Sequence, residues 1–172
     1  MKLNSGFKMN GTYYEAGSEV PWYKIYPFFL VHMLMFGGSG FIMAYSGDGP
    51  PLAFLFAHGG VAIFVYTVFY FTIFGRDEVK WMFINAGLGA LGIYTQMGWL
   101  LTLFGKDIGG YPFIRHVVPF LYYVLYTFLL RQALLDIANA RNDERRRRLV
   151  ENGYVGLSLA ASAVCFILER GS

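Results

Sequence analysis

The sequence predicts an all-α, polytopic membrane protein: a compact bundle of five transmembrane helices, or four if the last apolar segment only re-enters the bilayer or lies on it. Three observations carry this. Hydrophobic residues make up 56% of the 172-residue chain and charged residues only 15%, against roughly 25% charged residues in soluble domains. The few charges are clustered, which leaves long stretches with none. Most of those stretches approach or exceed the roughly 20 residues a helix needs to cross a hydrocarbon core. A water-facing surface cannot be made from so many Phe, Leu and Tyr side chains, whereas lipid removes the need for polar cover.

Residues 1–22 form a polar segment on the N-terminal side of a transmembrane domain, 23–172. This segment lacks the apolar core of a cleavable signal and the Arg-rich, acid-poor composition of a transit peptide. Within it, Asn10-Gly11 lies between alternating apolar and polar residues, Phe7 to Tyr14. This pattern predicts a β-hairpin, because both turn positions tolerate positive φ. An isolated hairpin is marginal in water, so it needs something to pack on, and the alternative is a flexible leader. Asn10-Gly11-Thr12 is also a glycosylation sequon, silent if the segment faces inward.

The apolar segments follow as Ile25 to Tyr45, Leu52 to Phe74, Trp81 to Phe104, Phe113 to Leu130 and Tyr154 to Leu168. The last is the shortest. Ser46-Gly47-Asp48-Gly49-Pro50-Pro51, Gly75-Arg76-Asp77-Glu78 and Lys106-Asp107-Ile108-Gly109-Gly110 interrupt them, since Gly supplies positive φ and Pro cannot continue a helix. Links this short make successive helices antiparallel neighbours. Leu134, Leu135 and Ile137 extend the fourth helix beyond the bilayer. No internal repeat marks an inverted-topology transporter.

Orientation follows from the basic residues. With the N-terminus inside, Lys2, Lys8, Lys24, Arg76, Lys80, Arg131, Arg141 and Arg145 to Arg148 share one side, and only Lys106, Arg115 and Arg170 lie on the other. The expected location is a bacterial or mitochondrial inner membrane, N-terminus on the cytoplasmic or matrix side. Arg145, Arg146, Arg147 and Arg148 attract anionic headgroups at about 1 kcal/mol each. They serve as a topology anchor or as a docking point for lipid or a partner.

No catalytic motif is present. There is no HExxH and no phosphate-binding glycine loop, and the lone Cys165 excludes an intramolecular disulfide or CxxC site. Ser39, in Gly37-Gly38-Ser39-Gly40, suits a tight helix contact better than a nucleophile. No Asp, Glu, Lys or Arg falls near the centre of a span, which argues against ion-coupled transport. Small residues recur at i, i+4 instead: Gly40 and Ala44, Ala53 and Ala57, Ala86 and Ala90, Gly156 and Ala160, Ser158 and Ser162. That spacing lets helix backbones approach closely in lipid. Asn85 and Gln96 are about three turns apart on one face of the third segment, as an interhelical hydrogen-bonding pair or a polar pocket.

Depth along each span places His32 about 4 Å inside the midplane and His58 and His116 about 7 and 10 Å outside it. His58 and His116 share a level, and Gly59 and Gly60 leave backbone room, so this pair suits a haem b or a quinone. Three functions are therefore in play. The first is a non-enzymatic subunit of a larger membrane complex, packing on membrane lipids and other integral membrane subunits. The second is a redox subunit using His58 and His116. The third is a small channel or carrier for a neutral or lipid-like solute, lined by Asn85, Gln96, Thr95 and Ser39. No nucleic-acid partner is expected.

Overall fold

The structure is a computed structural model that describes residues 3–9 and 11–171. A hairpin of β1 (Phe7–Met9) and β2 (Thr12–Tyr14) precedes six α-helices: α1 (Trp22–Tyr45), α2 (Leu52–Phe74), α3 (Arg76–Leu88), α4 (Ala90–Thr102), α5 (Val117–Ile137) and α6 (Glu144–Gly171). Two short 3₁₀ turns, Ile108–Gly110 and Phe113–His116, lead into α5. Among the described residues, four helical stretches are long and apolar enough to cross a membrane: 22–45, 52–74, 113–137 and 144–168.

The hairpin pairs Phe7 with Tyr14, Lys8 with Tyr13 and Met9 with Thr12. Asn10 of the expected turn lies outside the described residues, and Gly11 beside it has φ +81°. The leader is tied down at its base. Leu3 N–H donates to the Ser18 carbonyl at 3.1 Å and Asn4 N–H to that of Ile73 at 3.1 Å, while Leu3 and Val20 are buried. The segment that carries the hairpin is thus fastened to the C-terminal end of α2 through Asn4.

The third segment departs from the expected single helix. It breaks at Gly89 (φ −92°, ψ 6°) into two 13-residue helices, each too short to span alone. Glycines at 87, 89 and 92 lower helix propensity there, each by up to about 1 kcal/mol relative to Ala. The hydrogen bonds on either side survive, Gly89 to Asn85 at 2.8 Å and Ile93 to Gly89 at 3.0 Å, so the break is a bend. The last segment departs in the other direction. It begins ten residues earlier than Tyr154, at Glu144, and takes in the whole arginine run. Asp143 caps it, its Oδ1 accepting from the N–H groups of Arg145 (3.0 Å) and Arg146 (3.1 Å). The pairs Glu144–Arg148 and Arg147–Glu151 then support its first turns at i, i+4.

Helix α5 is the axis of the bundle, touching every other helix and packing most extensively on α1. Glycines bring α1 and α2 close to it. A Cβ built on Gly40 would sit 3.0 Å from the Tyr122 ring, and one on Gly59 would sit 2.4 Å from Val118 Cγ1. Gly40 and Ala44 are both buried on α1, Ala86 is buried on α3, and Ala90 is half-buried at the start of α4. Gly156 and Ala160 face outward from α6 instead. Two residues further on, about 200° around the helix, Ser158 and Ser162 face α4. There Gln96 Nε2 donates to the Ser162 hydroxyl (2.7 Å) and the Ser158 carbonyl (3.4 Å). An amide in apolar surroundings needs partners, and this decides which small face of α6 turns inward.

Candidate functional site

Three constellations stand out, one at each end of the bundle and one along its side. At the end that carries the hairpin, polar side chains from four helices meet in a continuous network. Gln132 of α5 is fully buried and lies at its centre. Its Nε2 donates to Glu78 Oε2 of α3 at 2.9 Å, and its Oε1 accepts from Arg141 Nη2 at 2.8 Å. On one side, Arg141 meets Asp136 Oδ1 at 2.5 Å and Oδ2 at 2.9 Å, and donates to Tyr26 Oη of α1 at 3.2 Å. Tyr26 in turn donates to Asp136, and Phe74 of α2 lies under the guanidinium, 5.9 Å from its carbon. On the other side, Glu78 receives Arg131 at 3.2 Å and Arg147 at 3.4 Å, and both arginines reach Glu151 of α6.

Three arginines thus meet three carboxylates, and Gln132 joins the two halves. Asp136 is only 8% exposed, so this network holds buried charge just beyond the uncharged span centres. In the sequence, Arg131 and Arg141 stand out as topology signals alone. The available signal was Gln132 and Asp136 at i, i+4 on a helix that otherwise continues apolar to Ile137. Of the arginine run, Arg147 turns inward to this network, whereas Arg146 pairs with Asp143 and Arg148 with Glu144 on the surface.

Burial pushes the Glu78 carboxyl upward, but the Gln132 hydrogen bond and the Arg131 and Arg147 charges outweigh it and hold the group below the ordinary glutamate range. Arg141 is likewise opposed by burial, yet Asp136 and Tyr26 keep it more firmly protonated than usual. A carboxyl depressed in the folded state stabilises the fold above its unfolded value, and that contribution disappears as pH falls through the folded value. Thermal unfolding in detergent between about pH 3 and 7 should therefore show an acid limb that Glu78→Gln flattens. An unchanged limb would remove Glu78 from this role.

At the opposite end, the carbonyls that α1 leaves unpaired are capped from the loop ahead of α5. Lys106 Nζ and Tyr111 Oη (2.8 Å) donate to the Tyr45 carbonyl, and Arg115 Nη1 donates to that of Ala44 at 3.1 Å. Cations suit the negative end of a helix dipole. His116 belongs to this cap. It is buried, with its Nδ1 2.8 Å from Tyr45 Oη and its ring 5.6 Å from that of Tyr94.

His58 lies elsewhere. It lines a groove of about 760 Å³ between α1 and α2, walled by Phe28, Phe36, Phe54, Tyr66 and Phe69, with Lys8 also at its lining. His32 lines the same groove, and its Nδ1–H donates to the Phe28 carbonyl at 3.0 Å. The His58 ring sits 6.2 Å from Phe36 and 6.0 Å from Phe54. Its Nδ1 is shielded from solvent and has no hydrogen-bond partner among the described residues. Gly59, the next residue, faces Val118 of α5, so His58 is turned away from the face that meets α5. The structure thus places His58 in the α1–α2 groove and His116 in the cap of α1.

The other sequence candidates also separate. Asn85 is exposed on α3, while Gln96, beyond the Gly89 bend, accepts from Tyr123 and donates to α6. Ser39 and Thr95 return their hydroxyls to the carbonyls of Phe36 (2.8 Å) and Leu91 (3.0 Å) of their own helices. The four are thus divided among α1 (Ser39), α3 (Asn85) and α4 (Thr95 and Gln96). Among the described residues no group of three His, Cys, Asp or Glu side chains is placed to hold a metal ion. Comparison with known proteins finds no matching family model, no curated relative and no solved structure of similar fold.

Proposed function

We propose that this chain is a non-enzymatic integral subunit of a larger membrane assembly, packing on lipids and on partner helices. One observation carries the reading: α6 is fastened along one face only. Ser158, Ser162 and Tyr154, whose hydroxyl donates to the Thr127 carbonyl at 3.4 Å, bind it to α4 and α5. The opposite face, with Gly156 and Ala160, is open and small. In lipid, small residues on an open face allow a second helix backbone to approach.

The reading includes five crossings. Glu78 at the start of α3 joins the network at the hairpin end, and Lys106 just after α4 joins the cap at the other. This supports the bent pair α3–α4 as the third crossing. From Trp81 to Thr102 it covers about 33 Å at 1.5 Å per residue, close to the roughly 30 Å of a hydrocarbon core. The bias of Lys and Arg supports a hairpin end on the cytoplasmic or matrix side of a bacterial or mitochondrial inner membrane. Their salt bridges do not weaken that argument, because the rule counts basic residues and not net charge.

Affinity purification in mild detergent tests the assembly. Wild type is expected to bring down stoichiometric membrane partners, and Gly156→Leu with Ala160→Leu to lose them at unchanged thermal stability. A wild-type chain that purifies alone and monodisperse would sink the proposal. Cysteine labelling in a Cys165→Ala background checks the crossings: positions 139 and 8 should label from one side, and 48, 107 and 168 from the other. Position 168 labelling with 139 would leave four.

A further inference from the structure

Helix α1 has 24 residues, about 36 Å at 1.5 Å per residue. A hydrocarbon core is roughly 30 Å thick, so the C-terminal end of α1 stands at the level of the headgroups. Two cations meet there: Lys106 Nζ donates to the Tyr45 carbonyl, and Arg115 Nη1 to the adjacent Ala44 carbonyl at 3.1 Å. The protein does not match their charge. Among the described residues neither cation forms an ion pair. Asp107 turns its carboxylate to the Gly109 N–H at 3.1 Å, and Asp48 is exposed in the link between α1 and α2. The negative end of the α1 dipole supplies about half a charge, which leaves more than one positive unit at the two carbonyls. Capping also uses few of the available donors. Arg115 Nε and Nη2 have no hydrogen-bond partner in the described chain and are not shielded within it, so a ligand can reach them. Lys106 is only half-buried and has two further N–H groups.

From this arrangement we infer that the cap of α1 seats the phosphate of an anionic phospholipid in the leaflet at this end of the bundle. A phosphodiester offers oxygens to an ammonium and a guanidinium at once, through charge-assisted hydrogen bonds. Phe104 and Phe113 are 67% and 79% exposed and each stands two residues from one of the cations, so hydrocarbon for the acyl chains adjoins the charge. A choline headgroup would bring a third cation to the same spot. The seat therefore prefers a lipid of net negative charge. It lies at the opposite end of the bundle from Arg145 to Arg148. The inference rests on the bilayer placement proposed above but on no partner subunit, so the isolated chain suffices to test it.

The test holds the full chain in phosphatidylcholine nanodiscs that contain a minor share of phosphatidylglycerol. Either lipid carries a photoreactive group at its headgroup in turn. In the wild-type chain, crosslinks from phosphatidylglycerol should exceed those from phosphatidylcholine within residues 103–115. Native mass spectra should show phosphatidylglycerol retained over phosphatidylcholine by about tenfold, the effect of one to two unit charges near a bilayer surface. Lys106→Gln with Arg115→Gln keeps N–H donors for the two carbonyls but removes the charge, and should bring the crosslinks at 103–115 down to the phosphatidylcholine level. Inorganic phosphate at millimolar concentration should leave the retained lipid in place. Crosslinks of phosphatidylglycerol confined to residues 145–148, or no preference in the wild type, overturn the inference, and neither readout requires a variant to fold. Wild-type crosslinking in the double variant overturns it as well. Displacement by inorganic phosphate would do the same, by showing a site for free anions.

Discussion

Asp136→Ala is expected to lower the stability of the bundle by about 3–5 kcal/mol, the usual cost of removing one partner from a buried ion pair. The carboxylate holds Arg141 through both oxygens and accepts from Tyr26, whose ring is almost fully buried. Its loss leaves a guanidinium over Phe74 and a phenol against an apolar wall, with Gln132 as the main remaining acceptor for Arg141. Gln132 also reaches Glu78, so the disturbance passes from α1 and α5 to α3 and α6. Replacing both partners, Asp136→Leu with Arg141→Met, should cost less than the single change, because no charge is then left buried and alone. The check is a double-mutant cycle on unfolding in mixed detergent micelles. A single-variant loss below about 1 kcal/mol, the usual size for an exposed pair, would show that the network behaves as surface charge.

The helices and this network differ in how far the sequence revealed them, and the reason is physical. Helix α2 was legible to the residue, Leu52 to Phe74, because Pro51 and Gly75 punctuate an uninterrupted apolar run. Lipid imposes no polar face, so length and composition suffice. The bend at Gly89 was harder. Glycines in a membrane helix signal close packing and weak helix propensity alike, and the neighbours that decide between them are not local. The network was not legible as a unit, since it joins residues up to 115 positions apart. Each charge, taken alone, also has a sufficient role as a topology signal. The histidines show a further limit. Rise per residue placed His58 and His116 at one depth, but depth says nothing of rotation about the helix axis. Gly59 takes the face toward α5, and the imidazole beside it is thereby committed to the groove.

That same glycine carries the second large effect. Gly59→Ala adds one methyl group, yet its Cβ would stand 2.4 Å from Val118 Cγ1, 3.2 Å from Cγ2 and 3.4 Å from Cβ. A rotation about χ1 of Val118 can vacate the 2.4 Å position only by leaving its present rotamer, and a methyl group then still stands about 3.2 Å away. β-Branched side chains in helices also have one strongly preferred rotamer. Helices α2 and α5 must therefore separate by some tenths of an ångström or more, at a cost of about 1–3 kcal/mol for overpacking. Gly59→Leu should exceed that range and prevent a stable bundle. Val118→Ala alone should cost roughly 1–2 kcal/mol through the cavity it leaves. Combined with Gly59→Ala it should do better than either change alone, because the new methyl fills the space the valine vacates. The measurement is the coupling energy from thermal or denaturant unfolding of the two single variants and the double. Additive losses would mean that α2 and α5 do not meet at this point, and the rotation assigned to His58 would have to be redrawn with them.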